Sequence, residues 1–362
     1  MDEPRLSKDR PLVVGMIRGG GRPGNNIVAN AHAAAMLNAK LIYFTPEDVD
    51  VKNKKVKALH YAEGQWHSAV CDFPDVIEND ERSLRKKEVF AAITENAPFT
   101  MHSLGGKLTT FNRLKKSGLY GNLLIPDYSI NSLSDFTGAV TSFEKFVVKP
   151  MRGSRGNQVS YFERTSKGFN VNHSGTTSTL NMADLAGFYN EHISSKQYLL
   201  QNYIESRSRH GLPFDIRIHV RRGYGARWRL VKMYARIGAG DSIVSNISAG
   251  GSIAAANTFL RTQFGEVKGR QILSELKELA NTFPDKFQSL YPEFMIDALG
   301  IDIGIDRDGK LWIFEINSFP GATFFELTAA IPRMEYAVWL ARDYIQCRQN
   351  KPGSVALCVN GA

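Results

Sequence analysis

The first 45 residues alternate between short apolar runs and a segment of helical period. PLVVG (11–15) reads as a buried strand, the Gly-rich loop RGGGRPGNN follows, and IVANAHAAAML places its apolar residues at helical spacing. KLIYF (40–44) is a second buried strand. Strand, loop, helix and strand in that order predict a parallel sheet. The loop at 19–24 fits neither GxGxxG nor GxxxxGK(S/T), which favours a turn facing a substrate over a phosphate cradle. Residues 80–88 are a charged run, read as a solvated helix face.

Farther along, FVVKP (146–150) is a strand closed by proline, and MRGSRGNQVSYF (151–162) predicts a Gly-rich hairpin turn with a return strand. LNMADLAGFYNEH (180–192) is helical, with Asn181 or Asp184 able to cap its start. QYLLQNYI is a strand, and residues 214–237 hold two strands around RRGYGAR. VKGRQILSELKELANTF (267–283) has apolar residues at 272, 273, 276, 279, 280 and 283, which is helical spacing. The last strong helix is predicted to begin near 333, after Pro332, and the tail QNKPGSVALCVNGA to be loose or an ill-defined edge.

LGIDIGIDRDGKLWIFEINSFPG (299–321) holds two alternating runs around a turn signal. A two-residue type I′ turn at Asp308-Gly309 makes each facing pair sum to 617, so Arg307 faces Lys310 and Asp302 faces Glu315. Ile301, Ile303, Ile305, Trp312, Phe314 and Ile316 then share an apolar face. Asp302, Glu315 and Asn317 share the other, beside Gly300 and Gly304. Facing carboxylates repel. A shared proton offsets that cost, and a divalent cation does so better at neutral pH. Mg²⁺ takes a few carboxylate or amide oxygens and keeps its remaining positions for water and phosphate. The alternative is a solvent-facing polar hairpin, where acids cost little.

Composition narrows the class. The 362 residues, 43% hydrophobic, suffice for two or three packed units. No run reaches the roughly 18 apolar residues of a membrane span, and the polar start MDEPRLSKDR lacks a secretory pattern. Cys71, Cys347 and Cys358 are scattered, which predicts neither a disulfide framework nor a metal knuckle, and a reducing, cytoplasmic setting. The net charge of +9 suits nucleic acid or anionic small molecules. The densest basic group, RIHVRRGYGARWRLVKMYAR (217–236), resembles a nucleic-acid strand pair when read alone.

Other residues suit a nucleotide. Lys149 ends a strand and Gly153 and Gly156 follow, so a point charge and open backbone N–H groups stand together. Tyr203-Ile204 ends another strand, whose edge can offer a backbone donor and acceptor to a base; a plain core strand is the alternative. Asp215 and Arg217 share a face of PFDIRIHV, and KMYARIGAGDSIVSNISAGG adds Arg236, Asn246 and a Gly pair. Arginines there can hold phosphate or carboxylate, or line a solvated sheet or bind RNA.

In order, KPxxGSxG, QxYI, DIR, R…SN…GG and D…ExNxxPG resemble the ATP-grasp superfamily, and in detail its YheC/YheD-like branch, with RimK-type ligases as more distant relatives. The resemblance covers about residues 100–330. It implies an ATP-grasp fold, two α+β lobes around ATP, preceded by an N-terminal α/β domain. The expected divisions are 1–105, 106–205, 206–346 with the metal site, and a tail at 347–362. It implies that Lys149 meets the phosphates and that Gly153, Ser154 and Gly156 form the loop over them. Gln201, Tyr203 and Ile204 would be the adenine hinge, with Asp215 near the ribose. Arg217 and Arg236 would lie at the transferred phosphoryl group. Asp302, Glu315 and Asn317 would be ligands of Mg²⁺, two ions being expected. Lys107 is the candidate for an earlier lysine; Lys115 and Lys116 compete with it.

The implied activity is ATP-dependent carboxylate–amine ligation through an acyl phosphate, on a small-molecule or peptide carboxylate and an amine. Alternatives are a phosphotransferase and a non-catalytic, nucleotide-binding protein of the spore-coat type. No membrane or nucleic-acid partner is expected, and a homo-oligomer stays open. His102 and His219 are read as structural or substrate-facing. Two features depart from the pattern. Gln201 stands where many members have an acid, and FPDVIENDERS departs from the branch pattern after Pro-Asp, which leaves the acceptor open.

Overall fold

The parallel order read from the first 45 residues forms as expected. The computed structural model describes residues 10–80, 83, 86–151, 158–238 and 251–350, with no side-chain description for 107, 349 and 350. β1 (Leu12–Ile17), α1 (Asn25–Met36) and β2 (Ala39–Phe44) are followed by β3 (Val49–Asp50), β4 (Lys55–Ala62), β5 (Gln65–Asp72) and β6 (Val76–Glu78). The sheet runs β3-β4-β2-β1-β6, with β5 on β4; β1 is parallel to both β2 and β6. β4 and β5 pair up to Ala62–Gln65 around Glu63 and Gly64, both at positive φ (51° and 80°), as a type I′ turn requires. α2 (Lys87–Thr94) begins inside the charged run, so that run is only in part a helix face.

The second sheet is antiparallel. α3 (Lys107–Ser117), β7 (Asp127–Ile130) and α4 (Leu133–Ala139) lead to β8 (Lys145–Pro150) and β9 (Ser160–Thr165). β10 (Gly168–His173), β11 (Thr176–Leu180), α5 (Leu185–Phe188) and β12 (Tyr198–Asn202) complete it, in the order β11-β10-β9-β8-β12-β7. Its core is aromatic, with Phe146 and Phe162 stacked 4.8 Å apart. The helix expected over 180–192 is broken into a 3₁₀ turn, α5 and a π-turn at Tyr189–Ile193. Asn181 caps its start, its side chain accepting from the N–H groups of Ala183 and Asp184.

The third sheet is built from β13 (Phe214–Arg222), β14 (Trp228–Ile237), β15 (Ser252–Ala255), β16 (Ala298–Ile305) and β17 (Leu311–Asn317), in the order β15-β14-β13-β16-β17. α6 (Ala256–Phe264) and α7 (Glu266–Gln288) cover one face. There Phe214, Ile216, Ile218 and Val220 of β13 join the core with Ile272, Leu276 and Phe283 of α7. The odd residues of β13 therefore point to the other face.

The hairpin β16–β17 corrects the expected turn. Asp306 pairs with Lys310, and Gly309 N–H bonds the Asp306 carbonyl. Gly309 is at φ +82°, but Asp308 is not at positive φ, so the loop has three residues and not two. The Asp306 carboxylate accepts from the N–H groups of Asp308 and Lys310 and from Trp312 Nε1, which stabilises the longer loop. Pairs next to the loop consequently sum to 616, as in Ile303–Ile313. A β-bulge at Phe314 inserts one residue and restores Asp302–Glu315. Trp312 and Phe314 thus leave the predicted apolar face, which Leu311, Ile313 and Ile316 occupy instead. A Cβ on Gly304 would stand 2.0 Å from the Phe314 ring.

α8 (Glu326–Asn350) begins seven residues before the expected start and holds Pro332 inside it. Ala330, Met334, Ala337 and Ala341 of α8 pack with Val14, Met16, Ala33 and Ala34 of the first sheet and α1. Arg333 of α8 enters a buried charge cluster. Its Nε stands 3.3 Å from Glu78, which also pairs with Arg18, while Arg221 of β13 bonds Asp297 at 3.2 Å. Burial opposes ionisation of Glu78, but Arg18, Arg333 and Arg221 outweigh it and hold the carboxyl below its usual range. Burial and neighbouring Arg221 push Arg333 down to about 9. No described helix is long and apolar enough to cross a membrane. Cys71 is free.

Two outcomes follow. Gly304→Ala should destabilise the protein by about 1–3 kcal/mol through overpacking against Phe314, measured as a lower urea midpoint at constant slope. Glu78→Gln should cost about 3–5 kcal/mol by stranding buried guanidinium groups. Because the folded carboxyl is depressed, its stabilisation is full above the ordinary glutamate range and lost as pH falls through the folded value. The variant should therefore lose part of the acid limb of stability against pH.

Candidate functional site

The odd face of β13 carries Asp215, Arg217, His219 and Arg221 in a row. Register places Asp215 opposite Arg236 of β14, Arg217 opposite Asp302 of β16, and Asp302 opposite Glu315 of β17. Asn317 lies opposite Gly300 on the same face. Six of the residues singled out from sequence thus stand together on one sheet face: Asp215, Arg217, Arg236, Asp302, Glu315 and Asn317.

Five of these side chains, those of Asp215, Arg217, Arg236, Asp302 and Asn317, form one network. Arg217 grips Asp302 in bidentate fashion, Nε on Oδ1 and Nη2 on Oδ2 at 2.9 Å. Arg236 does the same to Asp215, at 2.6 and 2.7 Å, and its Nη2 also stands 2.8 Å from Asp302 Oδ2. Burial disfavours the Arg236 cation, but Asp302 and Asp215 outweigh it and raise its pKa further. Asn317 Nδ2 donates to Asp302 Oδ2 at 3.5 Å. A Cβ at Gly300 would press on Pro320 at 2.8 Å and on Arg217 Nη1 at 3.2 Å, so glycine leaves the guanidinium its place. Asp302 is 3% exposed, which strengthens each charge contact.

Among the described residues no group of three or more His, Cys, Asp and Glu side chains is arranged to hold a metal. The donor chemistry still fits Mg²⁺. Two facing carboxylates and an amide oxygen form a hard, oxygen-rich set, and Mg²⁺ needs few protein oxygens. Asp302 would have to exchange part of its arginine contact for the cation.

Lys149 and Gln201 lie in the second sheet. Lys149 Nζ donates to Gln201 Oε1 at 2.7 Å. Gln201 is thus turned toward the lysine, on the same face of the paired strands β8 and β12. The Tyr203 N–H bonds the Lys145 carbonyl at 3.0 Å, so this donor is engaged within the protein. Ile204 is buried, and Ser206, two residues on, binds two neighbouring strands of the third sheet. Its Oγ donates to the Phe214 carbonyl at 2.7 Å and accepts from Ile305 N–H at 3.0 Å. Lys115 pairs with Asp127. Gly153, Ser154, Gly156 and Asn246, and the side chain of Lys107, lie outside the described residues.

Tyr234, the register partner of Arg217, was missed, because an aromatic among arginines in 217–236 looks like a nucleic-acid feature. It is buried under Phe325, with ring centroids 5.6 Å apart. Arg217, Arg221 and Arg222 are buried rather than displayed on a solvated strand pair. His219 is fully buried. Burial first, then Arg221, Arg333 and Arg217, keep its imidazole neutral. His102 stacks on Phe294 at 4.8 Å.

The family model "YheC/D like ATP-grasp" matches residues 96–340. The chain is 23% identical over 301 residues to the endospore coat-associated protein YheD of Bacillus subtilis (strain 168), covering 78% of this chain and 64% of that protein. It is 22% identical over 308 residues to YheC of the same organism, covering 80% and 83%. Among solved structures, N5-carboxyaminoimidazole synthetase from Staphylococcus aureus superimposes with a TM-score of 0.53 at 14% identity, covering 91% of this chain and 77% of that one. The ATP-grasp ligase PsnB, complexed with precursor peptide PsnA2 and AMPPNP, gives 0.53 at 12%, covering 91% and 98%. The three sheets, the facing acids of the third and the family match over two thirds of its length make this chain a member of the YheC/D-like ATP-grasp family, with the ATP-grasp fold.

Proposed function

We propose that the protein is an ADP-forming carboxylate–amine ligase that makes an amide or peptide bond on an amino acid or peptide. The observation that carries this reading is the facing pair Asp302–Glu315, beside Asn317 and flanked by Arg217 and Arg236, in an ATP-grasp chain. In this reading Lys149, Gly153, Ser154 and Gly156 meet the phosphates, with Lys107 as the earlier lysine. Gln201, Tyr203 and Ile204 border the adenine, and Asp215 the ribose side. Asp302, Glu315 and Asn317 would hold Mg²⁺, which when bound supplies charge neutralisation at phosphate oxygens.

A substrate carboxylate oxygen attacks the γ-phosphorus, and the bond to the bridging oxygen breaks, releasing ADP and leaving an acyl phosphate. An amine then adds to the acyl carbon and loses a proton as phosphate departs. Arg217 and Arg236 would release part of their hold on Asp302 and Asp215 to offset the transferred charge. The remaining work is positioning, which needs no protein nucleophile. In this reading the protein works in the cytoplasm, which supplies the ATP that the chemistry consumes and the Mg²⁺ that it requires.

YheC and YheD are described as coat-associated, which favours one second reading, a nucleotide-binding protein without turnover. Tight ADP binding with no ADP release across a panel of carboxylates and amines would select it. A stable phosphoester formed without an amine would indicate a phosphotransferase.

Glu315→Gln and Asp302→Asn should each lower Mg²⁺-dependent ADP release about 100-fold or more. Glu315→Gln keeps the Arg217–Asp302 pair and so tests chemistry apart from folding, which circular dichroism would follow. Full activity in both variants refutes the metal assignment. Lys149→Ala should weaken ADP binding by about tenfold or more, the loss of one charge-assisted contact, read by calorimetry; an unchanged affinity removes Lys149 from the phosphate site.

A further inference from the structure

We propose that Phe324, with Phe319 and Leu327, forms an apolar platform that selects a substrate carrying an aromatic or large aliphatic side chain. The inference rests on the ligase reading and deepens it by naming a substrate class. The three side chains are 70%, 38% and 49% exposed, and all fall within ten residues after Asn317.

Backbone conformation singles out Phe324. Phe325 N–H bonds the Ala322 carbonyl at 3.0 Å and closes a four-residue turn. Phe324 is its third residue, at φ +75°, and Thr323 before it is not at positive φ. This is the type II pattern, whose third position strongly favours glycine. The sequence instead puts a bulky ring there, and the ring lies in water. Both choices cost free energy, and among the described residues no ring or cation contact of Phe324 offsets them. Strain of this kind concentrates at ligand-binding positions.

The platform adjoins the candidate site. Phe325 points inward, its ring 5.6 Å from those of Tyr234 and His219. Tyr234 is the register partner of Arg217, so the turn is pinned to the face that carries the acid–arginine network. The Glu326 carboxylate accepts from Phe324 N–H at 3.3 Å and holds the strained peptide in place. On the other side, the Phe319 ring lies 5.7 Å from the guanidinium of Arg18, just past β1. β1 has β2 on one side and β6 on the other, and open parallel sheets leave a ligand crevice outside the strand ends at such a reversal of order. Gly20 and Gly21, shortly after Arg18, are at positive φ, and a Cβ added at either would meet nothing within 4 Å, so the backbone there leaves room. A side chain reaching from the reacting group toward these strand ends would cover the platform.

The test uses the full chain loaded with Mg²⁺ and AMPPNP. It is titrated by calorimetry with N-acetylphenylalanine against N-acetylglycine, and phenylalaninamide against glycinamide. At least one phenyl probe should bind about tenfold tighter than its glycine counterpart. Phe324→Gly and Leu327→Ser should each cut that preference to about twofold or less, with AMPPNP affinity unchanged. The melting temperature of Phe324→Gly should be unchanged or raised, because glycine relieves the turn. AMPPNP binding without any phenyl preference, or a preference that survives both variants, overturns the proposal and leaves the ligase reading standing. Failure of AMPPNP to bind overturns the ligase reading itself, and the proposal with it. Self-association of the wild type that both variants abolish, seen by light scattering, makes the patch an interface between copies and overturns the proposal.

Discussion

The paired guanidinium and carboxylate of Arg217 and Asp302, side by side across β13 and β16, set the arrangement of the whole polar face. Asp302 is almost fully buried, and a lone carboxylate there would be strongly disfavoured. Arg217 and Arg236 together satisfy it, and Asp215 in turn satisfies Arg236. Each pair lies in register, so the sheet's own hydrogen bonds hold the charges in line. A neutralised, preorganised acid is what a site needs if it is to exchange one cation for another without rebuilding its backbone.

The sequence made this face legible by an argument whose two faults cancel. The turn at 308–309 is longer than Asp308-Gly309 suggested, because the Asp306 side chain closes a wider loop. Taken alone, that shift would have moved Glu315 away from Asp302. The bulge at Phe314 returns the register, and the glycine at 304 gives the displaced ring its room. A two-residue turn of the expected type does form, at Glu63-Gly64. Local turn chemistry thus states where a hairpin bends but not whether a side chain nearby will widen the bend. Strands and parallel order were readable from apolar runs, whereas the start of α8 was not. Pro332 looks like a first-turn residue, yet it is carried inside a helix supported by the first sheet. The Gln201–Lys149 contact and the burial of Tyr234 depend on neighbours far apart in the chain, which periodicity does not report.

β13 joins two charge clusters of different character. Arg217 belongs to the candidate site, and Arg221, four residues on, belongs to the cluster with Asp297, Glu78 and Arg333. Between them His219 is kept neutral by burial and by both arginines, which avoids a third adjacent cation. The second cluster draws on β6, α8 and the residue after β1, so a single strand is tied at one end to the proposed chemistry and at the other to the N-terminal sheet.

The docking of α8 has a consequence for how the chain is made. The apolar side of α1 and the first two strands are finished by Ala330, Met334, Ala337 and Ala341, which are synthesised long after the surfaces they cover. During translation the N-terminal sheet must therefore wait, with part of its core uncovered, until both other sheets and then α8 have left the ribosome. Such a long-range closure slows folding and makes the nascent protein a natural client for chaperones that shield exposed apolar surface.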